Sequence, residues 1–241
     1  MAHAWMPEAM RIRAEADGGP LGGGAPRAVW LTLRSLAGAV SVQSAAQRLV
    51  AEHRPCHLIW DPLNGEIAQL ISVLRAARAL GGPDRLDWVP NRARRRPENV
   101  NAEGRVCVQI GVLASASEPF TNGPLIGVEA IVSWLDSWGV QRRWPDGPPA
   151  GPPDGPPDGW TEGGKANGRP TGGNSSSSRA AWARGGHFGA SQVPGCGHAG
   201  PGAIDIHRLT GNGPQHHARA VRSTVRDLSA SLAAAAIPVP A

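Results

Sequence analysis

Tyrosine is absent from the sequence, phenylalanine occurs twice, and Lys165 is the only lysine among 241 residues. The formal net charge of +5 is therefore carried almost entirely by arginine. Arginine, alanine, glycine and proline have GC-rich codons, whereas lysine, tyrosine and phenylalanine have AT-rich ones, so the basic balance reflects codon bias in part. The arginine cluster at residues 92–96 has no interleaved aromatic side chains and matches no nucleic-acid-binding motif, which favours a solvated loop. We therefore expect no nucleic-acid partner.

Cysteine is scarce, and long apolar runs are missing. Cys56, Cys107 and Cys196 show no CxxC spacing, and their odd number argues against a disulfide framework. No stretch approaches the ~20 apolar residues that a membrane-spanning helix needs. The first residues, MAHAWMPEAMRIRAEADGG, lack a basic segment followed by an apolar run, so no secretory signal is expected. These absences predict a chain that has no membrane span and is cytoplasmic on synthesis.

Glycine and proline, by contrast, are abundant, with 32 and 23 residues, and they divide the chain. Residues 1–26 are polar and Gly/Pro-rich and are interpreted as an N-terminal arm. Residues 27–210 are predicted to form one domain, which contains a low-complexity loop at 145–179 where GPPx repeats with a period of four. Collagen requires a period of three, so that fold is excluded. Residues 211–241 are predicted to be a tail with a short Ala-rich helix.

Hydrophobic patterns within the domain alternate between strand and helix. Residues 28–33 (AVWLTL) and 105–113 (RVCVQIGVL) are short apolar, β-branched runs typical of buried strands. Ser41 is positioned to cap a helix that runs to about residue 53, and residues 123–138 carry an amphipathic stripe. Two further apolar runs, HLIW and EIAQLI, flank the segment DPLNG, whose Asn-Gly pair predicts a β-hairpin.

The most specific stretch is residues 182–206, WARGGHFGASQVPGCGHAGPGAIDI. It resembles the metal-binding end of the zinc N-acetylmuramoyl-L-alanine amidases, the superfamily that includes peptidoglycan recognition proteins, and is closest to the actinobacterial and phage endolysin-like pattern GHFGHSQVPxxxHxDPGAID. The resemblance covers roughly residues 27–207: the first strand is similar to WHTTE, the hairpin to HxxxDPxxGxxxQL, the strand at 105–113 to RVCIQIEVV, and residues 134–149 to WLDSWGVxRRWPxGPP. It implies a single mixed-sheet α/β domain flanked by helices, with Gly/Pro-rich loops.

The residues that carry the chemistry of the resembling amidases are replaced. Leu31, Ala190 and Gly200 occupy the positions of the implied zinc ligands, and Gly111 occupies the position of the implied catalytic glutamate. Catalytic zinc needs about three protein ligands and an open position for water, and a general acid–base residue must carry a proton. None of the four residues can serve either purpose. We therefore expect no zinc or other cofactor.

Three histidines and one cysteine leave other roles open. His187, Cys196 and His198 are chemically suitable metal donors, although their spacing matches no known zinc motif and the first strand contributes no donor. His57, His187 and His198 are also interpreted as groove-lining residues, with packing favoured over chemistry for His57. His198 lies where related amidases often have a residue that stabilises the oxyanion.

The resemblance implies a peptidoglycan amidase homologue that has lost hydrolysis and retains binding of peptidoglycan or muropeptides. It would act at the cell wall if it is exported or released by lysis. An active zinc amidase that uses displaced ligands is the alternative from the enzyme class, and zinc would then be its cofactor. A decayed gene product without selected activity is the third hypothesis. Metal content separates the first two, and muropeptide binding separates the first from the third.

Overall fold

The computed structural model describes residues 2–14, 24–33, 41–80, 107–114, 118–149, 176–194, 196 and 200–211. The strands are β1 (Met10–Arg11), β2 (Arg27–Thr32), β3 (Leu58–Trp60), β4 (Ile67–Gln69), β5 (Val108–Val112) and β6 (Gly186–Gly189). The α-helices are α1 (Val42–Ala51), α2 (Val128–Ser137), α3 (Ser176–Arg184) and α4 (Ile206–Thr210). Two 3-10 turns, Phe120–Asn122 and Ala190–Gln192, complete the described secondary structure.

The six strands form one mixed sheet in the order β1-β4-β3-β5-β2-β6. β3 and β4 are antiparallel, and the other neighbouring pairs are parallel. This confirms the predicted α/β class with a single mixed sheet flanked by helices. All six residues of β2 are buried, and its sequence RAVWLT is apolar at most positions because a parallel strand inside a sheet is covered on both faces.

Alternate residues of β2 point into two apolar clusters, one on each face of the sheet. Val29 and Leu31 belong to the cluster that contains the apolar face of α1, here called the α1-side core. Ala28 and Trp30 belong to the cluster that contains the apolar face of α2, here called the α2-side core. Burial of each large apolar side chain contributes about 1.5–3 kcal/mol, so the sheet is held between two helical layers by both faces of β2.

The predicted helix cap and the predicted hairpin are both present. The Ser41 hydroxyl accepts a hydrogen bond from the Ser44 backbone N–H at 3.1 Å, immediately before α1. β3 and β4 pair across a turn in which the Asn64 side chain accepts from the Glu66 N–H at 2.8 Å. Gly65 has a φ of 80°, a left-handed conformation that glycine adopts without steric cost. Local turn and capping chemistry was therefore sufficient to predict these features.

The N-terminal arm differs from the expectation of a polar extension. Its residues Met10 and Arg11 form β1, which pairs in parallel with β4 and becomes the edge strand of the sheet. Met6 is fully buried in the α2-side core. The sequence pattern did not predict this because a two-residue strand and a single buried apolar side chain are too short to show a hydrophobic periodicity. Their contacts are also with residues far along the chain.

The predicted loop at 145–179 also ends earlier than expected, because α3 begins at Ser176. Serine is a mediocre helix former, so tertiary contacts at the other end of the helix explain its stability. The Arg27 guanidinium lies over the Trp182 ring, 4.9 Å from its centroid, and its Nε donates to the Trp182 carbonyl at 2.6 Å. The Trp182 and Phe188 rings pack edge to face with centroids 4.8 Å apart. These contacts join α3 to β2 and β6.

Several predicted features lie outside the described residues. They are the arginine cluster at 92–96, the greater part of the low-complexity loop, and the C-terminal tail after residue 211 with its Ala-rich helix. Of the helices that the structure does describe, none has both the length and the apolar character to cross a membrane.

Candidate functional site

The four replaced positions lie together at the carboxyl ends of three adjacent parallel strands. Leu31 of β2 is directly opposite Gly111 of β5. On the other side of β2, Trp30 is opposite Gly189, the last residue of β6, and Ala190 follows at once. The Ser191 N–H donates to the Gly200 carbonyl at 2.8 Å, which places Gly200 beside Ala190. Residues that are up to 169 positions apart in sequence are thus gathered at one end of the sheet, where α/β folds usually bind ligands.

The side chains at this end of the sheet are closely packed. Leu31 is 1% exposed and Ala190 is fully buried, and both belong to the α1-side core. An added Cβ at Gly111 would lie 2.8 Å from Leu33 Cδ1 and 3.1 Å from Cys56 Sγ. A close approach of neighbouring side chains therefore explains the glycine within this strand, because the register on both sides of Gly111 continues without a bulge. A glutamate at this position would need Leu33 to move.

The residues present do not fit a zinc ion at these positions. Leucine, alanine and glycine side chains offer no oxygen, nitrogen or sulfur donor, and zinc sites are built from cysteine, histidine and carboxylate side chains. The surroundings are equally unsuitable, since Leu31 and Ala190 contact apolar neighbours. The neighbouring Cys56 thiol is fully buried and donates to the Leu58 carbonyl at 3.0 Å, and burial raises its pKa to about 12.

His57 is a buried core residue with both ring nitrogens in use. Its Nδ1 accepts from the Gln109 N–H at 2.9 Å, so its Nε2 carries the proton and donates to the Arg75 carbonyl at 2.7 Å. Burial lowers the pKa of His57 to about 4, and the ring is neutral at neutral pH. The side chain is fully buried, so His57 does not line an open groove. It joins β5 to the segment after β4.

His187 lies on the other face of the sheet, between two tryptophan rings. Its centroid is 6.0 Å from Trp30 and 6.1 Å from Trp144, and both pairs are stacked. Its Nδ1 accepts from the Trp30 indole N–H at 3.0 Å, which leaves a proton on Nε2. That atom is buried and has no hydrogen-bond partner among the residues that the structure describes. Burial, and secondarily the charge of Arg142, lower the pKa of His187 to about 4.

The structure separates the proposed set of alternative metal donors. Phe188, Ala190 and Cys196 belong to the α1-side core, whereas the neighbouring His187 stacks on Trp30 of the α2-side core. The sheet therefore lies between the His187 ring and the Cys196 thiol. His198 is outside the described residues, and the described part of the chain contains no group of three His, Cys, Asp or Glu side chains able to hold a metal ion.

Within residues 182–206, two positions that match the resembling pattern, Gln192 and Asp205, have structural roles that the sequence did not reveal. Gln192 Oε1 accepts from the Trp144 indole N–H at 2.7 Å and from the Gly189 N–H at 2.8 Å, and its Nε2 donates to the Gly147 carbonyl at 2.8 Å. Asp205 caps α4 by accepting from the N–H groups of His207 and Arg208. Gln192 thus joins the end of β6 to the segment that contains Trp144 and Gly147, and Asp205 begins α4.

Two further buried polar atoms lie near the four positions and were not singled out from the sequence. Thr32 Oγ1 and Gln109 Oε1 have no hydrogen-bond partner within the described part of the chain. Gln109 Nε2 donates to the Ala77 carbonyl at a long distance of 3.4 Å. Alternation along β2 and β5 could have placed these side chains on opposite faces, but only the folded structure shows that the two oxygens lack a partner among the described residues.

Comparison of the chain with protein-family models, with curated proteins and with solved structures finds no match. The resemblance to the amidases therefore stays a prediction from the ordered motifs in the sequence.

Proposed function

We propose that the protein is a homologue of the N-acetylmuramoyl-L-alanine amidases that binds peptidoglycan fragments and does not hydrolyse them. The observation that carries this proposal is the position of Leu31, Gly111, Ala190 and Gly200. They lie next to one another at the carboxyl ends of β2, β5 and β6, in the order in which the resembling pattern has its ligands and its glutamate. All four lack the donor or the proton that hydrolysis requires.

Loss of hydrolysis follows from elementary site chemistry. An amide carbonyl in water is inert without a Lewis acid, an activated nucleophile or a proton shuttle, and general acid–base groups alone contribute ~10²–10⁴-fold. Loss of one ligand could be compensated by a neighbouring group. Loss of all of them at one place, with Leu31 and Ala190 packed as apolar core, leaves no such group among the described residues there.

Binding can persist without that chemistry, since fold and catalytic site are separable. Recognition of a muropeptide needs shape complementarity and a small number of directed hydrogen bonds, and neither depends on a metal. The hydrogen bonds of Gln192 and Asp205 that support the frame are intact. This retention of the frame favours a binding protein over a fully decayed one.

The alternative of an active zinc amidase with displaced ligands receives less support. Its candidate donors His187 and Cys196 face opposite sides of the sheet. A metal ion cannot contact both without a change in the strand that carries His187.

The test combines three measurements on the purified full chain. Zinc content is determined by mass spectrometry after incubation with zinc and removal of excess metal. Muropeptide binding is measured by isothermal titration calorimetry, with an N-acetylglucosamine oligomer that lacks the stem peptide as the ligand control. Release of free peptide from the muropeptide is followed by liquid chromatography. We expect less than a tenth of an equivalent of zinc, saturable muropeptide binding, and no peptide release.

Each contrary result identifies a different hypothesis. One equivalent of zinc together with chelator-sensitive peptide release would establish the active-enzyme alternative. A folded protein, verified by circular dichroism, that binds no muropeptide would favour the decayed gene product.

A further inference from the structure

The N-terminal arm makes an extensive set of contacts with the edge of the sheet. Beyond the β1–β4 pairing, the Ile12 N–H donates to the Gln69 carbonyl and the Ala14 N–H to the Leu70 carbonyl, both at 3.0 Å. The Gln69 side chain accepts from the Met6 N–H at 2.6 Å and donates to the Ala4 carbonyl at 3.0 Å. One glutamine side chain therefore binds the arm at two backbone positions, Ala4 and Met6.

The same arm reaches over to α2. The His3 carbonyl accepts from two indole N–H groups, that of Trp134 at 2.8 Å and that of Trp138 at 3.1 Å. Met6 fills a fully buried position between β4 and the α2-side core, and Ala4 and Ala9 pack against the same cluster. We refer to the edge of β4, the Gln69 side chain and the two indole N–H groups together as the arm-docking edge. It offers backbone pairing, three side-chain hydrogen-bonding groups and one apolar pocket for an extended segment.

All of these partners lie far along the chain from the arm, at Ala68 or beyond. None of them requires that the arm be covalently connected to the same molecule. Extended segments that add a strand to a sheet edge bind through backbone hydrogen bonds, and their side chains fill pockets at alternate positions. An identical segment of another molecule can make every one of these contacts, which is the condition for exchange of an element between protomers.

Chain length decides which molecule supplies the arm. β1 and β2 are four strand positions apart in the sheet, which corresponds to roughly 19 Å. Nine residues, 15–23, connect Ala14 to Gly24, and ten extended steps span at most about 33–36 Å, so the arm reaches its own domain. Ala25 and Pro26 lie against Gly185, just before β6, so the chain enters β2 from the side away from β1.

We propose that the arm-docking edge is an interaction surface for residues 2–14 of a second copy of this chain. In the monomer it is filled by the chain's own arm, and the two forms contain the same contacts. The balance between them is set by the connecting residues, because a connection that cannot span the distance reduces the effective concentration of the chain's own arm to near zero. This inference is independent of the proposed ligand of the domain.

The decisive variant of the full chain lacks residues 18–23. Three connecting residues then remain, and four extended steps span at most about 13–14 Å, which is shorter than the roughly 19 Å between β1 and β2. We expect this variant to be a dimer by size-exclusion chromatography with light scattering. A chain in which residues 18–23 are replaced by six serines keeps the original length and should remain a monomer. Adding Met6→Asp to the deletion should abolish the dimer, because the pocket would have to accept a charge.

A monomeric deletion variant would overturn the proposal, and so would a dimer that survives Met6→Asp. A full-length Met6→Asp chain provides a second measurement that does not depend on the deletion, because its own arm no longer fills the pocket. A peptide of residues 2–14 with photo-methionine at position 6 is irradiated with this variant, and cross-links are mapped by mass spectrometry. We expect cross-links to residues of β4 and α2. A pattern no different from that of a scrambled peptide would contradict the proposal.

Discussion

A methyl group at Gly111 would lie 2.8 Å from Leu33 Cδ1 and 3.1 Å from Cys56 Sγ, closer than real Cβ atoms tolerate without a shift. We predict that Gly111→Ala lowers the free energy of unfolding by about 1–3 kcal/mol, the usual effect of an added methyl group in a packed core. The measurement is urea denaturation monitored by tryptophan fluorescence.

The control for this prediction is a double-mutant cycle with Leu33→Ala, which removes the closest atoms. Leu33→Ala alone should be destabilising because it leaves a cavity, but the double variant should be less destabilised than the sum of the two single variants. If the effects of Gly111→Ala and Leu33→Ala on the free energy of unfolding are strictly additive, contact with Leu33 is not the reason that a larger residue is disfavoured at position 111.

His187 gives a prediction about pH. Its folded-state pKa is about 4 and its unfolded value about 6.5, so the unfolded chain binds more protons between these values. The stability that neutral His187 contributes is present above pH 6.5 and is lost as the pH falls toward 4. His57 has the same shift and the same sign. We expect each histidine to account for a loss of roughly 2 kcal/mol between pH 7.5 and pH 5.0.

Urea denaturation at the two pH values tests this assignment. His187→Phe keeps an aromatic ring between Trp30 and Trp144 and removes the titrating group, so the variant should lose less stability on acidification than the wild type. Equal pH dependence in wild type and His187→Phe would show that the ring is not desolvated.

At the scale of elements, the Gln69 side chain of β4 attaches the N-terminal arm, which contains β1, to the sheet. The Gln69 side chain bonds to Met6, Ala4 and Ile71, and its replacement by leucine would leave the Met6 N–H buried without that partner. A buried unsatisfied group costs about 1–3 kcal/mol. We expect Gln69→Leu to lower stability by that amount and to increase proteolysis within residues 2–14.

Gln47 of α1 is exposed and provides the control, because Gln47→Leu removes the same group without a buried partner. It should leave both stability and proteolysis of the arm nearly unchanged. If the protease cleaves residues 2–14 of Gln69→Leu no faster than those of Gln47→Leu, the backbone pairing of β1 is sufficient to retain the arm.

At the scale of the whole molecule, the positions of Leu31, Ala190 and Gly200 predict that a metal site can be introduced. We expect Leu31→His, Ala190→His and Gly200→Asp together to bind zinc, because the strands already present these positions at one end of the sheet. Without zinc the triple variant should be less stable than the wild type, since polar rings replace apolar core. Zinc should restore stability through linkage to the folded state, by about 2.7 kcal/mol at a hundredfold excess over the dissociation constant.

Thermal melts with and without zinc are the measurement. A control triple variant carries Val29→His in place of Leu31→His, on the same face of β2 but away from the carboxyl end, and should show no zinc-dependent shift. If the variant that carries Leu31→His also shows no zinc-dependent shift, the backbone positions 31, 190 and 200 are too far apart to bind one zinc ion. Adding Gly111→Glu for hydrolysis would also require Leu33 to be shortened, because of the close contact at Gly111.

The sequence by itself determined the elements that depend on local chemistry. Ser41 predicted the start of α1, the Asn-Gly pair predicted the β3–β4 turn, and the apolar runs predicted β2 and β5. It also determined what the four replaced positions cannot do, because leucine, alanine and glycine lack donors in any fold. These are properties of single residues or of neighbours within a few positions, which a linear pattern contains.

Only the tertiary structure decided how distant residues meet. It packed Met6 and β1 against β4 where a polar arm was expected, it placed His187 and Cys196 on opposite faces of the sheet, and it surrounded Gly111 with Leu33 and Cys56. The physical reason is that burial and strand pairing depend on contacts between segments tens to more than a hundred residues apart. A single buried apolar side chain or a two-residue strand is stabilised by those contacts and shows no hydrophobic periodicity in the sequence.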